Sequence, residues 1–354
     1  MPWPERLSLA RLPTPIQRLT RTPLPGGAQL WLWRDDLSGG LTSGNKVRKL
    51  EFLLAEARAQ GATRLVTCGG PQSNHARATI FLARRLGLDV TVVVREPAPE
   101  RVEGSPSLAT ATSPLNGNAL LARIAGAELV PLPFADYVAA GSSYEAAVEA
   151  VCAKARAKGE RPYAIAEGGS SALGAVGYAA AVDELLATWR REGPGTPAPD
   201  AIFLAVGSGG TMAGVQLGWI RNGLRPDAVC GVNVCNDAAY FRARVGQLCD
   251  EAASRYDLPR LATPLSLFGG HVGRGYARAT DDDLRFYASL AASEGVLLDP
   301  VYTGKAFRGM LAEFGKEPER FGRHVVFLHS GGVYATFAFA EQYLGALAAD
   351  TNTP

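Results

Sequence analysis

Five short glycine-bearing segments hold the side chains with the most chemistry in this sequence. In Gly44-Asn45-Lys46-Val47-Arg48-Lys49-Leu50-Glu51 a lysine stands at a loop-to-helix junction, where it can face a cleft beside the free amides of a first helical turn. Lys46 there can trap a carbonyl with its amine, or it can be one cation of a solvated amphipathic helix start; the octapeptide alone favours the second. Gly69-Gly70-Pro71-Gln72-Ser73-Asn74-His75-Ala76-Arg77 follows an apolar run ending at Cys68, at the strand end where ligands bind in open parallel sheets. Its amides, Ser73 and Asn74 suit a carboxylate, or the two side chains simply cap a helix. Gly207-Ser208-Gly209-Gly210-Thr211 again joins a strand to a helix and reads as a phosphate cup, since glycine lets amides approach an anion that the helix dipole favours. The alternative is a plain glycine-rich turn. Met212 breaks the dinucleotide pattern G-x-G-x-x-G, and no Gly-Lys-Ser or Gly-Lys-Thr follows, which argues against a dinucleotide or a nucleoside triphosphate. In Asp299-Pro300-Val301-Tyr302-Thr303-Gly304-Lys305 and His329-Ser330-Gly331-Gly332, Tyr302 can donate a proton or hold a leaving group, and Ser330 can hydrogen-bond a heteroaromatic nitrogen. Taken singly, these last two read more readily as a turn before a helix and a strand-ending cap; five polar, glycine-bearing junctions in one α/β chain are less easily dismissed.

Positioning them requires alternating strands and helices. β-branched apolar runs at 29–33, 64–68, 89–94, 127–131, 200–206, 228–234 and 324–329 read as strands. Segments of helical period lie at 46–60, 74–87, 116–125, 142–158, 172–191, 211–222, 279–294, 303–314 and 333–347. This alternation predicts an α/β fold with mostly parallel sheet. The stretch 96–114, rich in Pro, Ser and Thr, reads as a surface loop or lid, and 192–199 as a break before a strand.

Composition narrows the function. The chain has 354 residues, enough for about two domains, with 36 Lys plus Arg against 34 Asp plus Glu. That balance asks for neither nucleic acid nor an anionic membrane as partner. Five scattered cysteines without a C-x-x-C pair suit a reducing cytoplasm. The proline-bearing, charged start lacks a secretory apolar stretch, and no run approaches the length of a membrane span. The four histidines are too scattered for a metal site, and no G-x-S-x-G elbow is present. Asp35-Asp36 and Asp281-Asp282-Asp283 read as solvated loop or helix-start acids.

The order and wording of the motifs resemble the pyridoxal-phosphate enzyme family that contains D-cysteine desulfhydrase, L-cysteate sulfo-lyase and 1-aminocyclopropane-1-carboxylate deaminase. The resemblance runs from Leu12-Pro13-Thr14-Pro15 through Trp33-Arg34-Asp35-Asp36, the Lys46 segment, Gln72-Ser73-Asn74-His75, Asn116-Gly117-Asn118, Gly168-Gly169-Ser170 and Gly174-Ala175-Val176-Gly177-Tyr178. It continues through the phosphate loop, Gly273-Arg274-Gly275-Tyr276, Asp299 to Lys305 and His329 to Gly332, nearly the whole chain.

The resemblance implies a tryptophan-synthase-β-like fold of type II, with two open, mostly parallel twisted sheets flanked by helices. Its larger domain would be 1–44 plus 166–354 and its smaller one 45–165, with pyridoxal 5'-phosphate in the cleft between. Lys46 matches the lysine that carries the cofactor and acts as base, Lys49 a residue near its phosphate, and Asn74 the partner of its ring hydroxyl. Gln72, Ser73, Asn74 and His75 match the region that holds the substrate carboxylate, with Ser73 also a catalytic candidate. Gly207, Ser208, Gly209, Gly210 and Thr211 match the phosphate loop, and Tyr276 and Tyr302 the active-site tyrosines. Where the deaminase pattern has a glutamate and a leucine, this chain has Thr303 and Ser330; desulfhydrase-like members carry hydroxyls, which tolerate a neutral pyridine ring. The implied activity is α,β-elimination from a small amino acid, D-cysteine above all. L-cysteate lysis, the deaminase reaction, β-replacement and silent cofactor binding are the alternatives, in a likewise expected cytoplasmic homodimer. Ser43, Ser171, Met212 and His271 depart from the usual pattern beside the matched site.

Overall fold

The computed structural model describes residues 2–96 and 115–350; apart from Glu96, the expected loop or lid at 96–114 lies outside them. The strands among them are β1 Ile16–Leu19, β2 Gln29–Trp33, β3 Arg64–Gly69, β4 Asp89–Arg95, β5 Glu128–Leu132, β6 Pro162–Ala164, β7 Ala201–Val206, β8 Val229–Asn233, β9 Ser266–Phe268 and β10 His324–Leu328. The helices are α1 Asn45–Ala59, α2 Asn74–Arg85, α3 Gly117–Ile124, α4 Phe134–Ala139, α5 Glu145–Ala157, α6 Ala172–Glu192, α7 Gly210–Arg221, α8 Ala238–Tyr256, α9 Asp281–Glu294, α10 Thr303–Lys316, α11 Pro318–Phe321, α12 Val333–Thr336 and α13 Ala340–Asp350.

Two sheets form. One runs β1-β2-β10-β7-β8-β9, parallel except for the β1–β2 pair, and the other runs β5-β4-β3-β6, parallel throughout. The central strands β7 and β10 are buried along almost their whole length, as near-continuous apolar runs must be when helices cover both faces. Every strand of the four-stranded sheet comes from 45–165 and every strand of the other from outside that range. Helix α1, which the expected boundary puts in the smaller part, packs against α6 of the larger. A side chain at Gly177 would bring its Cβ to 2.5 Å from the Arg48 carbonyl, and at Gly214 of α7 to 2.2 Å from that of Ala175. Bare glycine at these points lets three helices stack backbone to backbone beneath the site.

The expected strands and helices all appear, within a few residues at their ends, with one exception. The segment expected as a single helix at 333–347 divides into α12, a tight turn at Phe337–Phe339 and α13, and the turn sets Phe339 in a cluster with Tyr287, Ala335 and Ala346. The sequence reading misses three short strands, β1, β6 and β9, and the helices α4, α8 and α11. Helix α8 carries a legible signal: buried Phe241, Val245, Leu248, Cys249 and Ala252 recur at helical spacing, and the Asp237 side chain accepts from the Tyr240 amide at 2.7 Å as its N-cap. Asp35 overturns its reading as a solvated acid, being fully buried against Arg48. Asp281, Asp282 and Asp283 do open a helix, where Asp283 completes a capping box with Thr280.

Candidate active site

A single pocket gathers the carboxyl ends of both sheets. Its lining includes Asn45, Lys46, Ser73, Asn74, His75, Gly207, Ser208, Gly209, Thr211, Tyr276, Tyr302 and Ser330. Of the other sequence-derived candidates, Gln72, Lys49, Gly210 and Thr303 do not line it; they stand behind its wall.

Lys46 is held at the start of α1 by an unusually rigid frame. Gly44 has φ +103°, and a side chain there would put its Cβ 2.8 Å from the Ser330 carbonyl oxygen, so glycine is required by both conformation and space. The Asn45 amide donates to that same carbonyl at 3.0 Å. Two residues further on, buried Arg48 donates to both Asp35 oxygens at 2.8 Å, to Glu184 and to Thr14; the Tyr178 hydroxyl also donates to Asp35. The basic residues Arg48 and Lys49 thus point inward, against the solvated-helix reading. Lys46 Nζ donates to Asn45 Oδ1 at 2.8 Å, and Asn45 Nδ2 donates to Thr211 Oγ1 at 3.0 Å. Burial lowers the Lys46 amine to about 8, against the opposing pull of Asp299, so a fraction is free base near neutrality.

The cup at 207–211 opens α7. Gly209 sits at φ +85°, which aims the first amides of the helix into the pocket. The Ser208 and Ser170 hydroxyls are 2.8 Å apart, and Ser170 Oγ accepts from the Gly210 amide at 3.2 Å. Lys49 lies under this cup, donating to the Gly168 carbonyl at 3.2 Å and to Ser170 at 3.4 Å. Burial, with Lys46 adding to it, holds its amine well below the usual lysine value. One amine, Lys46, thus lines the pocket beside the cup, and a second, Lys49, stands directly beneath it.

On the opposite wall, Ser73 caps α2 by accepting from the Ala76 amide at 3.1 Å. Asn118 fixes its neighbour: Asn118 Nδ2 donates to the Gln72 carbonyl at 2.8 Å and to Asn74 Oδ1 at 2.9 Å, leaving the Asn74 amide nitrogen to donate into the pocket. Gln72, expected at the substrate, spends its own side chain on Asn116 and the Asn118 amide. The Thr67 hydroxyl donates to the Ile165 carbonyl at 2.9 Å, so it must accept from His75 Nε2 at 2.8 Å. That bond places a proton on Nε2, and burial with the two lysines holds His75 well below the ordinary histidine value, so the ring is the neutral imidazole. Its Nδ1 is left without a partner among the described residues.

The third wall carries a tyrosine pair. The Tyr276 and Tyr302 hydroxyls are 2.6 Å apart, and burial pushes both above the usual phenol value, so both stay protonated. Asp299 anchors this wall, accepting from the amides of Val301, Tyr302 and Thr303 and from the Thr303 hydroxyl at 2.6 to 3.0 Å. That hydroxyl also accepts from the Asp299 amide, so Thr303 supports the start of α10, while Ser330 lines the pocket. Lys305 donates to the Val272 and Gly275 carbonyls at 2.8 and 2.5 Å, pinning the loop that presents Tyr276. The sequence reading assigns no role to Asn118 or Lys305, although each lies in a motif it singles out.

These residues fit an aromatic aldehyde with an anionic tail. The glycine cup and the buried amines suit a phosphate, Lys46 a carbonyl carbon, the Asn74 amide a ring oxygen and Ser330 a ring nitrogen.

Comparison with known proteins agrees. The profile of the family described as "Pyridoxal-phosphate dependent enzyme" matches residues 7–331. The chain is 39% identical over 337 residues to the Arabidopsis thaliana "Bifunctional D-cysteine desulfhydrase/1-aminocyclopropane-1-carboxylate deaminase, mitochondrial", covering 95% of this chain and 80% of that one. It is 34% identical to a D-cysteine desulfhydrase of Salmonella paratyphi C, covering 94% and 96%. A solved structure described as an ACC deaminase homologue superimposes with a TM-score of 0.79 at 31% identity, covering 97% and 96%.

Proposed function

This chain belongs to the family of pyridoxal-phosphate-dependent enzymes, and within it we propose a carbon–sulfur lyase that converts D-cysteine and water to pyruvate, hydrogen sulfide and ammonia. The observation that carries the reading is the Lys46 amine, lowered to about 8, facing a pocket that also holds an anion cup and a protonated tyrosine pair.

Bound at the cup and Lys46, pyridoxal phosphate supplies an electron sink for negative charge at the substrate's α-carbon. The chain's own groups do the rest. The α2 amides and Ser73 hold the substrate carboxylate, fixing which bond at the α-carbon lies near Lys46. The Lys46 amine takes the α-proton. Tyr302, hydrogen-bonded to Tyr276, gives a proton to the departing sulfur; burial raises its pKa, so the phenol carries that proton at the outset. Neutral His75 adds no charge beside the carboxylate it neighbours. Ser330, in the place where the deaminase pattern has leucine, favours the thiol reaction over ring opening.

The expected homodimer and reducing compartment belong to this proposal. Five unpaired buried cysteines support the compartment, and sedimentation tests the dimer.

The test is the visible spectrum of protein supplied with pyridoxal phosphate, followed by borohydride reduction and peptide mapping. The label is expected on Lys46, and Lys46→Ala is expected to lose it together with at least about 10³-fold in turnover. Pyruvate from D-cysteine supports the reading. Keto acid only from aminocyclopropane carboxylate, or a label on another lysine, overturns it.

A further inference from the structure

Tyr276 reaches the pocket from the irregular loop 269–280 between β9 and α9, and it is 37% exposed. Packing of its own ring therefore does not fix its hydroxyl 2.6 Å from that of Tyr302; the loop's backbone must. That backbone has three left-handed positions in alternation, Gly273 at φ +63°, Gly275 at +118° and Ala277 at +56°. Glycine adopts such angles freely and alanine does not. A strained residue next to a reactive one persists only where its surroundings hold it.

Part of the hold is apolar, with Ala277 buried in the cluster of Tyr287 and Phe339. The polar part comes from α10, where Lys305, Gly309 and Glu313 follow at intervals of four and share one face. At the first position the buried Lys305 amine donates to the Val272 and Gly275 carbonyls. At the second, the missing side chain makes room: a Cβ on Gly309 would stand 2.8 Å from Cγ of His271. At the third, Glu313 accepts from His271 Nε2 at 2.8 Å, and because a carboxylate only accepts, that nitrogen carries a proton. Both side chains are largely shielded from water, which strengthens such a bond. Tyr302 immediately precedes the same helix. One element thus carries one tyrosine and grips the loop that carries the other.

We propose that His271 and Glu313 are positioning residues for proton delivery: their clasp completes the grip of α10 on the loop, so that the Tyr276 hydroxyl keeps the Tyr302 phenol aimed at the leaving group. The inference rests on the elimination reading and deepens it. In that reaction the Cβ–S bond breaks with its electron pair on sulfur, which takes the Tyr302 proton, and the phenolate regains one from water. A departing thiolate needs that proton, whereas chloride, a far weaker base, leaves without one. A misaimed phenol therefore slows loss of sulfur and spares loss of chloride, and a shift of about 1 Å is enough to cost as much as about 10²-fold.

The experiment compares wild-type holoenzyme with His271→Phe, which keeps a ring beside Gly309 and removes the bond, and with Glu313→Ala, which cuts the clasp from the other side. The first readout is kcat for D-cysteine and for β-chloro-D-alanine. In both variants it is expected to fall about tenfold for cysteine and less than about twofold for the chloro compound. Glu313→Gln, whose side-chain carbonyl still accepts from Nε2, is expected to restore most of the rate, and Lys316→Ala, which removes only the Lys316 bond to Glu313, to leave it unchanged. The second readout needs no turnover: amide hydrogen exchange within 269–280 is expected to quicken about tenfold in both clasp variants and to stay as in wild type elsewhere. Equal losses on the two substrates, an unchanged rate on cysteine, or unchanged exchange in the loop overturns the proposal. If wild type releases keto acid from neither substrate, the elimination reading fails; faster exchange in the variants then still supports the clasp, and unchanged exchange still overturns it.

Discussion

The wall of the cleft contributed by the six-stranded sheet is stitched by buried charge-assisted hydrogen bonds, whereas the wall from the four-stranded sheet is held by amides, one neutral imidazole and aromatic faces. On the first wall Asp299 accepts four hydrogen bonds, and Arg48 is clamped by Asp35, Glu184 and Thr14. On the second, Asn74 leans on Asn118 and Arg95 lies on the rings of Tyr137 and Phe134. The difference separates two tasks. The first wall is pinned through charges that cannot be removed without exposing a buried partner, and the second through neutral contacts that a single substitution can loosen.

Arg48→Met is expected to have the largest effect. It would leave Asp35 buried without its cation, and the protein is expected to lose about 3–5 kcal/mol of unfolding free energy in urea; a loss below about 1 kcal/mol would mean the first wall is not rigid for the reason given. Asn118→Ala tests the second wall. Losing the grip on Asn74 is expected to lower kcat/KM about tenfold, with a smaller stability loss of about 1–2 kcal/mol. A stability loss with unchanged kinetics would show Asn118 to be only structural. The smallest effect is in the pH dependence of the cofactor-free fold. A lysine whose folded pKa is lowered from 10.5 to about 8 binds fewer protons folded than unfolded between those values. Stability should therefore rise with pH across that window, and the penalty should be fully present below it. Lys305, also lowered to about 8 by burial, contributes in the same direction. Lys46→Met is expected to remove part of the rise, about 1 kcal/mol after solvent screening, in urea melts at the two ends of the window.

Legibility in the sequence followed the same division. Strands such as Gln29–Trp33 and helices such as Ala172–Glu192 announce themselves because buried parallel strands and their crossover helices need long apolar runs. Strands of three or four residues, such as Pro162–Ala164 and Ser266–Phe268, exist only because a longer neighbour offers its edge, and they carry too few residues for a period. Helix α8 carries its own helical period and cap in the sequence. In the site, Lys46, the cup and the tyrosines stood out by residue type at glycine-led junctions. Arg95 and Glu167, which also line the pocket, did not, since a charged residue at the end of a strand or in a turn is ordinarily solvated.

Local pattern accounts for the alternation of strands and helices, the five junctions and the reactive types at each, because periodicity and glycine placement depend only on near neighbours. Tertiary structure decided which members of each motif face the pocket: Ser330 but not Thr303, Asn74 but not Gln72, Lys46 with Lys49 beneath. It also decided that Asp35 is a buried anchor. Those outcomes depend on contacts between residues tens to hundreds of positions apart, as between Arg48 and Glu184 or Asn45 and Thr211, whose burial and partners no local pattern encodes.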